Sequence, residues 1–224
     1  PIPSIKIPSG FGRTYGGKMS TQQIFGLVLT EISRNVPELS KRVITVSPDV
    51  ASSTNLGGWI NKGGVWTNGG SHSLPEEEVT RALQWIESEK GQHIELGISE
   101  NNLFMLLGQL GLSYEMNDEL LFPIGTLYDP FLRRGLDAFF YSVYSGSKFI
   151  LVGTPSGITL GPEGGAHQSL ITPSIGVELP ELSFYEPCFG QELEWIMLSA
   201  LHQIRKRGRP SGQPPQYVET VVPL

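Results

Sequence analysis

The sequence predicts a three-layer α/β domain, in which a doubly wound, mostly parallel sheet of about five or six strands carries helices on both faces. Three observations lead to this fold class. Short apolar or β-branched runs alternate along the chain with longer segments that repeat apolar residues every three or four positions. The run at 149–152 is apolar throughout, which is typical of a central parallel strand. The length of 224 residues suits one domain of this kind.

The chain divides by composition into three parts. Residues 1–19 and 208–224 are rich in proline and glycine and carry no periodic apolar pattern. We interpret them as an arm and a Pro-rich linker on either side of a domain at 20–207. Because the chain starts at Pro1 rather than at a methionine, we expect it to be a segment of something larger. The sequence leaves open whether that segment is an excised fragment or a separately encoded subunit.

The first half of the domain is expected to contain two helices with a strand between them. Ser20 and Gln23 form a capping box at the start of the first helix, and residues 43–46 form a β-branched strand. A second capping box, Ser73 to Glu76, predicts the next helix. The expected inward positions are Ile24, Leu27, Val28 and Ile32 in the first helix and Val79, Ala82, Leu83 and Ile86 in the second.

The second half continues the alternation of strands and helices. Further strand candidates are residues 93–97, 121–125 and 182–185. Ser99 is expected to cap a helix that ends at Gly111 and turns inward Leu103, Leu106, Leu107 and Leu110. Asp129 and Pro130 begin a helix that runs to about Tyr144. A last, long helix presents an apolar face made of Leu193, Ile196, Met197, Ala200, Leu201 and Ile204.

Composition and charge narrow the classes of function. The net charge is −6 and the isoelectric point is about 5.3, which argues against a general nucleic-acid surface or an anionic-membrane surface. Cys188 is the only cysteine, so no internal disulfide can form and a reducing, cytoplasmic setting is expected. The sequence contains no apolar run of membrane length.

Two short motifs indicate other functions, and their surroundings argue against both. Gly12 to Lys18 has the spacing of a phosphate-binding loop, but Met19 stands where that loop needs Ser or Thr, and no strand precedes it. Residues 206–210, Lys-Arg-Gly-Arg-Pro, resemble a DNA minor-groove hook. A single copy on an acidic chain fits a helix end followed by a linker better. The histidines and the single cysteine show no metal-ligand spacing.

Several polar and aromatic residues follow predicted strands and are candidates for one pocket. They are Asp49, Glu100, Tyr128, Phe131 and the loop Gly161-Pro162-Glu163-Gly164-Gly165-Ala166-His167-Gln168. Loops at the carboxyl ends of parallel strands share one edge of the sheet, where ligands bind. Each residue also has a structural explanation, with Glu100 as an acid at a helix start, Asp49 as a turn former and both aromatics as core residues.

The glutamate segment and the histidine loop resemble motifs of one enzyme family. Gly97-Ile98-Ser99-Glu100, the 161–168 loop and Ser47-Pro48-Asp49 are similar to segments of the pyrimidine-binding (central) domain of the transketolase superfamily of thiamine diphosphate enzymes. The likeness covers about residues 20–205. Thr154-Pro155-Ser156-Gly157 and residues 128–137 resemble the homodimeric pyruvate dehydrogenase branch, which decarboxylates 2-oxoacids. Pro-Glu in the histidine loop stands where transketolases have Glu-Asp.

The resemblance implies roles for the candidates nearest the cofactor. Glu100 would hydrogen-bond a ring nitrogen of the aminopyrimidine of thiamine diphosphate and so activate the cofactor. Asp49 would lie at the edge of the cofactor. One of Tyr128 and Phe131 would pack against the pyrimidine face.

The resemblance also implies what the remaining candidates and the missing domains do. His167, with Glu163 and Gln168 beside it, would face the substrate and polarise its carbonyl or move protons. In this family the diphosphate and a divalent metal, Mg²⁺ in our expectation, are bound by a separate domain, whose Gly-Asp-Gly…Asn motif this sequence lacks. We therefore expect the isolated chain to be inactive and to supply half of a site in a homodimer.

The expected function is that of a central domain in a thiamine diphosphate-dependent 2-oxoacid dehydrogenase. Its expected partners are the diphosphate-binding and C-terminal domains of the same enzyme and other components of a 2-oxoacid dehydrogenase complex. Two alternatives stay open at this stage, namely a domain for transketolase-type two-carbon transfer and a non-catalytic assembly subunit of the same fold.

Overall fold

The computed structural model describes residues 4–69, 83–169, 172–179, 181–205 and 216–219. The strands are β1 (Val43–Ser47), β2 (Val65–Trp66), β3 (Glu87–Ser88), β4 (His93–Glu95), β5 (Phe122–Leu127), β6 (Ile150–Gly153), β7 (Ser183–Tyr185) and β8 (Gln216–Glu219). The helices are α1 (Thr21–Asn35), α2 (Pro37–Ser40), α3 (Gly57–Gly63), α4 (Glu100–Leu110), α5 (Ser113–Asn117), α6 (Leu136–Tyr144), α7 (Thr172–Glu178) and α8 (Gly190–Arg205). Short 3₁₀ segments span Asp129–Gly135, Gly157–Leu160 and Gly165–His167.

The strands of the described ranges form one parallel sheet in the order β3-β2-β4-β1-β5-β6-β8-β7. The chain enters at β1 in the middle, moves outward to β2 and β3, returns to β4, and then crosses to β5 on the other side of β1. The winding direction therefore changes at β1, and a crevice is expected at the carboxyl ends of β1 and its neighbours. This topology confirms the predicted doubly wound sheet.

Helices cover both faces of the sheet, as the sequence predicts. On one face α1, α3 and α8 pack over a core that includes Phe25, Trp59 and Leu201. On the other face α4, α6 and α7 pack over a second core that includes Phe104 and Phe139. The strands between these two cores are buried on both sides, which explains why β5 and β6 are buried at every position.

The start of α1 confirms the predicted capping box. The Ser20 hydroxyl accepts a hydrogen bond from the Gln23 amide at 3.1 Å, and the Gln23 side chain accepts one from the Ser20 amide at 3.0 Å. Of the four expected inward positions, Ile24, Val28 and Ile32 are buried, whereas Leu27 is half-buried. The buried stripe is wider than predicted because the neighbouring residues Phe25 and Leu29 also face the core.

Three local predictions differ from the structure. Ser99 precedes α4, but its side chain makes no capping hydrogen bond, because its backbone (φ −154°, ψ 80°) departs from the usual N-cap conformation. The helix predicted after Ser73 falls mostly outside the described residues. Its last residue, Ile86, is 60% exposed and directly precedes β3, so the expectation of an inward helical Ile86 is wrong. The helix expected from Asp129 begins as a 3₁₀ segment and becomes α-helical only at α6.

Two segments that the sequence predicts as linkers contribute to the folded body. In the arm, Ile5 and Ile7 are buried against the core of α1 and α8, and the Arg205 guanidinium donates to the Ile5 carbonyl at 2.6 Å. Near the other end, β8 inserts between β6 and β7. Together with the two-residue strands β2 and β3, it raises the strand number to eight, above the predicted five or six.

None of the helices in the described ranges combines the length and the hydropathy that a crossing of a lipid bilayer requires. The same ranges contain no cluster of three or more His, Cys, Asp or Glu side chains arranged to hold a metal ion.

Candidate functional site

The predicted site residues lie on loops at the carboxyl edge of the sheet. Asp49 comes two residues after β1, Glu100 begins α4 after β4, and Tyr128 directly follows β5. The loop with His167 follows β6. Since β1, β4, β5 and β6 are parallel and adjacent, these loops share one edge, as the sequence predicts.

Glu100 lies in the first turn of α4 as a buried carboxylate with an arginine partner. Its side chain is 8% exposed, and its Oε1 accepts a hydrogen bond from the Arg134 guanidinium at 2.9 Å. The α4 N-terminus and the guanidinium both place positive electrostatic potential beside the Glu100 carboxylate. Arg134 belongs to the 3₁₀ segment that packs against α4, and its own side chain is 47% exposed.

Arg134 also connects Glu100 to the aromatic candidates. Its guanidinium carbon lies 3.8 Å from the centre of the Phe131 ring, in a cation–π contact. The rings of Phe131 and Tyr128 are nearly parallel, with centres 6.1 Å apart. The His167 ring meets both edge-on, at 4.9 Å from Phe131 and 6.2 Å from Tyr128. Four predicted site residues thus form one continuous cluster through Arg134.

The two other candidates of the histidine loop lie close to His167 in the chain and face outward. Glu163 and Gln168 are both exposed. The Gln168 side chain donates to the Gly161 carbonyl at 3.3 Å, and the His167 amide donates to the Gly164 carbonyl at 3.1 Å. Gly164 and Gly165 have positive φ angles of 65° and 53°, a conformation that glycine adopts easily and that lets this loop turn back toward Phe131.

Asp49 lies on the neighbouring loop and is held by a different network. It is exposed, has a positive φ of 67°, and its amide donates to Glu95 Oε1 at 2.6 Å. Glu95 Oε2 lies 3.2 Å from His93 Nε2, and His93 Nδ1 lies 2.9 Å from the Thr45 hydroxyl. Asp49 therefore shares the sheet edge with Glu100, but it is anchored to this network rather than to the aromatic cluster.

Sequence reasoning missed Arg134 and the pair formed by His93 and Glu95. For Arg134 there was a signal, because it lies three residues after Phe131 and can share a helical face with it. His93 and Glu95 alternate along a strand, so that both side chains point to one face. Their partners Thr45 and Asp49 are more than forty residues away in sequence, and no local pattern indicates them.

The site combines a buried carboxylate, a guanidinium, an imidazole and two stacked aromatic rings at one open edge. A flat heteroaromatic ligand fits such a donor set, because the rings offer a stacking surface and the carboxylate can hydrogen-bond a ring nitrogen. The imidazole offers ring nitrogens that can donate or accept a proton. The arrangement therefore suits a cofactor with a nitrogen heterocycle and a substrate that gains or loses a proton.

Comparisons with known proteins agree with this description. A family model described as the pyruvate dehydrogenase E1 component middle domain matches residues 5–207. Among curated relatives, the pyruvate dehydrogenase E1 component of Cupriavidus necator is 25% identical over 191 residues, which are 84% of this chain and 21% of the relative. That of Mycobacterium tuberculosis is 26% identical over 186 residues, covering 82% of this chain and 19% of the relative. The chain spans about a fifth of the length of these relatives.

Transketolases are among the solved structures with the same fold. The transketolase from Leishmania mexicana aligns with a TM-score of 0.71 at 17% identity, over 93% of this chain and 26% of that one. The transketolase from Campylobacter jejuni aligns with a TM-score of 0.69 at 16% identity, over 97% of this chain and 27% of that one. At such identities the likeness establishes the fold alone.

Proposed function

The chain belongs to the family of pyruvate dehydrogenase E1 component middle domains, and we propose that it supplies the cofactor-activating half of a thiamine diphosphate-dependent 2-oxoacid dehydrogenase, with pyruvate as the substrate. The observation that carries this proposal is the buried Glu100 carboxylate at the sheet edge, joined by Arg134 to the cluster of Tyr128, Phe131 and His167. This donor set fits the aminopyrimidine ring of thiamine diphosphate.

Glu100 is the proposed catalytic group on the cofactor side. When bound, thiamine diphosphate supplies an electron sink for carbon–carbon bond cleavage next to a carbonyl. Glu100 hydrogen-bonds a ring nitrogen of the pyrimidine and shares a proton with it. Arg134 holds the carboxylate in place through its hydrogen bond to Oε1.

The aromatic rings and the loop residues complete the proposed division of roles. Phe131 or Tyr128 packs against the pyrimidine face, since their parallel rings offer an apolar surface at the edge. His167, whose ring contacts both aromatics, donates or accepts a proton at the substrate, and the exposed Glu163 and Gln168 bind it. Glu163 and Gln168 face outward, where a second domain would close the pocket.

Other domains complete the site in this proposal. The chain corresponds to about a fifth of its curated relatives, and we assign the diphosphate, the divalent metal and most substrate contacts to the remaining domains. Exposed apolar side chains near Glu100 in the sequence support coverage by a partner, because Ile98 is 76% exposed and Met105 on α4 is 55% exposed. We propose a cytoplasmic homodimer that works with the other components of a 2-oxoacid dehydrogenase complex, and an isolated chain without activity.

The two alternatives are less well supported. The sequence relatives are pyruvate dehydrogenase E1 components, whereas the transketolases share only the fold, so two-carbon transfer is the second choice. A non-catalytic assembly subunit needs no buried carboxylate paired with an arginine beside an imidazole. Keeping such a group out of water costs stability, and assembly alone would not require it.

Glu100→Gln in the complete enzyme tests the proposal. The amide keeps the shape of the side chain but cannot share a proton with the pyrimidine, so the rate of cofactor-dependent pyruvate decarboxylation is expected to fall by about a hundredfold or more. Glu115→Gln, the same change at an exposed site on α5, is the matched control and keeps wild-type activity. Normal activity of Glu100→Gln would rule out the proposed role.

A further inference from the structure

A buried polar network lies outside the cluster around Glu100. It connects Thr45 on β1 to His93 and Glu95 on β4 and ends at the Asp49 amide in the loop after β1. Thr45 and His93 are fully buried, and the Glu95 side chain is 16% exposed. β1 and β4 are neighbours in the sheet, with Thr45 opposite His93 and Ser47 opposite Glu95. The pairing therefore places all three side chains close together at the carboxyl end of these strands.

The order of hydroxyl, imidazole and carboxylate resembles that of a nucleophile triad. Thr45 cannot act as the nucleophile, because its side chain is fully buried and its hydroxyl is closed off from any substrate. The network instead ends at a backbone group on the surface. The network therefore acts on the backbone conformation of residue 49.

Glu95 is the member of this network that contacts the loop. Its two carboxylate oxygens accept from two different donors, the Asp49 amide on Oε1 and the His93 imidazole on Oε2. Since Glu95 accepts from Nε2 of the imidazole, the Thr45 hydroxyl can donate to Nδ1 and fix the imidazole tautomer. An amide side chain has one acceptor oxygen and no charge, so Glu95→Gln keeps at most one of these two acceptor contacts and loses the charge-assisted character of both.

The hydrogen bond from the Asp49 amide to Glu95 stabilises an uncommon backbone conformation. Its φ of 67° lies in the left-handed region, which residues other than glycine adopt rarely. Two further hydrogen bonds to Ser47 hold the start of this loop. The Val50 amide donates to the Ser47 hydroxyl at 3.1 Å, and the Leu96 amide donates to the Ser47 carbonyl at 3.0 Å. The charge-assisted bond to Glu95 adds the contact at the strained residue itself.

We propose that Glu95, oriented by His93, is a positioning residue that holds Asp49 in the left-handed conformation and thereby sets the direction of its carboxylate at the cofactor edge. The functional half of this inference rests on the proposed function, because it takes Asp49 as a cofactor-edge residue. The structural half, that Glu95 fixes the backbone at Asp49, stands on the contacts alone.

Amide hydrogen exchange tests the structural half without any cofactor. In the complete protein, Glu95→Gln is expected to speed exchange at the amides of residues 49 and 50 by about tenfold or more, because the loop opens more often. Glu115→Gln, at an exposed position on α5, should leave these rates unchanged. Unchanged exchange in Glu95→Gln overturns the inference, whatever its activity.

A double-mutant cycle on cofactor affinity tests the functional half. Glu95→Gln should raise the thiamine diphosphate concentration at half-saturation by about tenfold while changing kcat less. In an Asp49→Ala background, Glu95→Gln should change the concentration at half-saturation by less than about twofold. Equal effects in both backgrounds would overturn the link through Asp49. If the wild-type protein binds no thiamine diphosphate, the proposed function fails, and the exchange rates alone decide the role of Glu95.

Discussion

Arg134 contacts residues that the sequence places at the same edge of the sheet without showing that they touch one another. The positions of Glu100, Tyr128, Phe131 and His167 after strands predict a shared site, yet each residue also has a structural explanation. The guanidinium contacts both Glu100 and Phe131, which connects these side chains in one cluster. Such a contact depends on the packing of the 129–135 segment against α4, which no sequence pattern specifies.

Arg134→Gln should lower activity much more than stability. The ion pair is partly exposed, so its loss should cost about 1 kcal/mol or less of unfolding free energy. Activity should fall by about tenfold or more, because Glu100 loses the group that orients it. Arg133→Gln is the matched control, since the guanidinium of this neighbouring residue donates to the Pro130 carbonyl of its own segment. Steady-state kinetics and urea unfolding of both variants check the prediction, and equal activities would contradict it.

At the scale of elements, most helices and strands follow from periodicity and capping residues. The predicted capping box, the central strand and the apolar faces of α1, α4 and α8 agree with the structure. The failures have physical reasons. β8 was not predicted, because the proline-rich composition around it is typical of a linker. It forms a strand through long-range backbone pairing with β6 and β7. Ser99 looked like a cap, but its backbone conformation keeps its side chain from serving as one.

Gly135 permits the close approach between the 3₁₀ segment and α4 that carries Arg134. A Cβ at this position would lie 2.4 Å from the Phe104 ring and 3.0 Å from the Asn101 Cα. Gly135→Ala should therefore destabilise the chain by about 1–3 kcal/mol and lower activity by displacing Arg134. Gly16→Ala is the control, because a Cβ there would meet no atom of the described residues within 4 Å, and it should stay within about 0.5 kcal/mol of wild type. Urea unfolding measures both, and a neutral Gly135→Ala would refute the argument.

The arm is fastened to α8 by a fully buried carboxylate. Glu194 accepts hydrogen bonds from the Phe11 amide at 3.0 Å, from the Gln191 side chain at 3.2 Å and from the Tyr15 hydroxyl. Burial, followed by the hydrogen bond to Glu194, raises the pKa of Tyr15 well above its ordinary value. The folded state therefore favours the protonated form of Tyr15.

This arrangement predicts a loss of stability in alkali. A raised pKa contributes stability that is fully present below the unfolded value of about 10 and is lost as the pH rises above it. Tyr15→Phe should be less stable than wild type near neutral pH by about 1 kcal/mol, and it should lose less stability between about pH 8 and pH 11. Urea unfolding at these pH values is the measurement. Tyr141→Phe, at a site 70% exposed, should keep the wild-type pH dependence, and the same steep loss in Tyr15→Phe would contradict the account.

At the scale of the whole molecule, the fold class and the family were predictable, whereas the completed site was not. The doubly wound sheet, the family and the placement of loops at one edge agree with the sequence analysis. Asp49, Glu163 and Gln168 are exposed, and in the proposed enzyme the groups that cover them belong to other domains. The chain corresponds to about a fifth of the length of its curated relatives. Its sequence therefore cannot specify groups that belong to the other domains.

The central claim is that Glu100 activates the pyrimidine of thiamine diphosphate. The most direct test is the rate at which the thiazolium C2 proton of the bound cofactor exchanges with deuterium in the complete enzyme at full cofactor occupancy. In Glu100→Gln this rate is predicted to fall by about a hundredfold or more, while Glu115→Gln matches wild type. Exchange at the wild-type rate in Glu100→Gln would contradict the account.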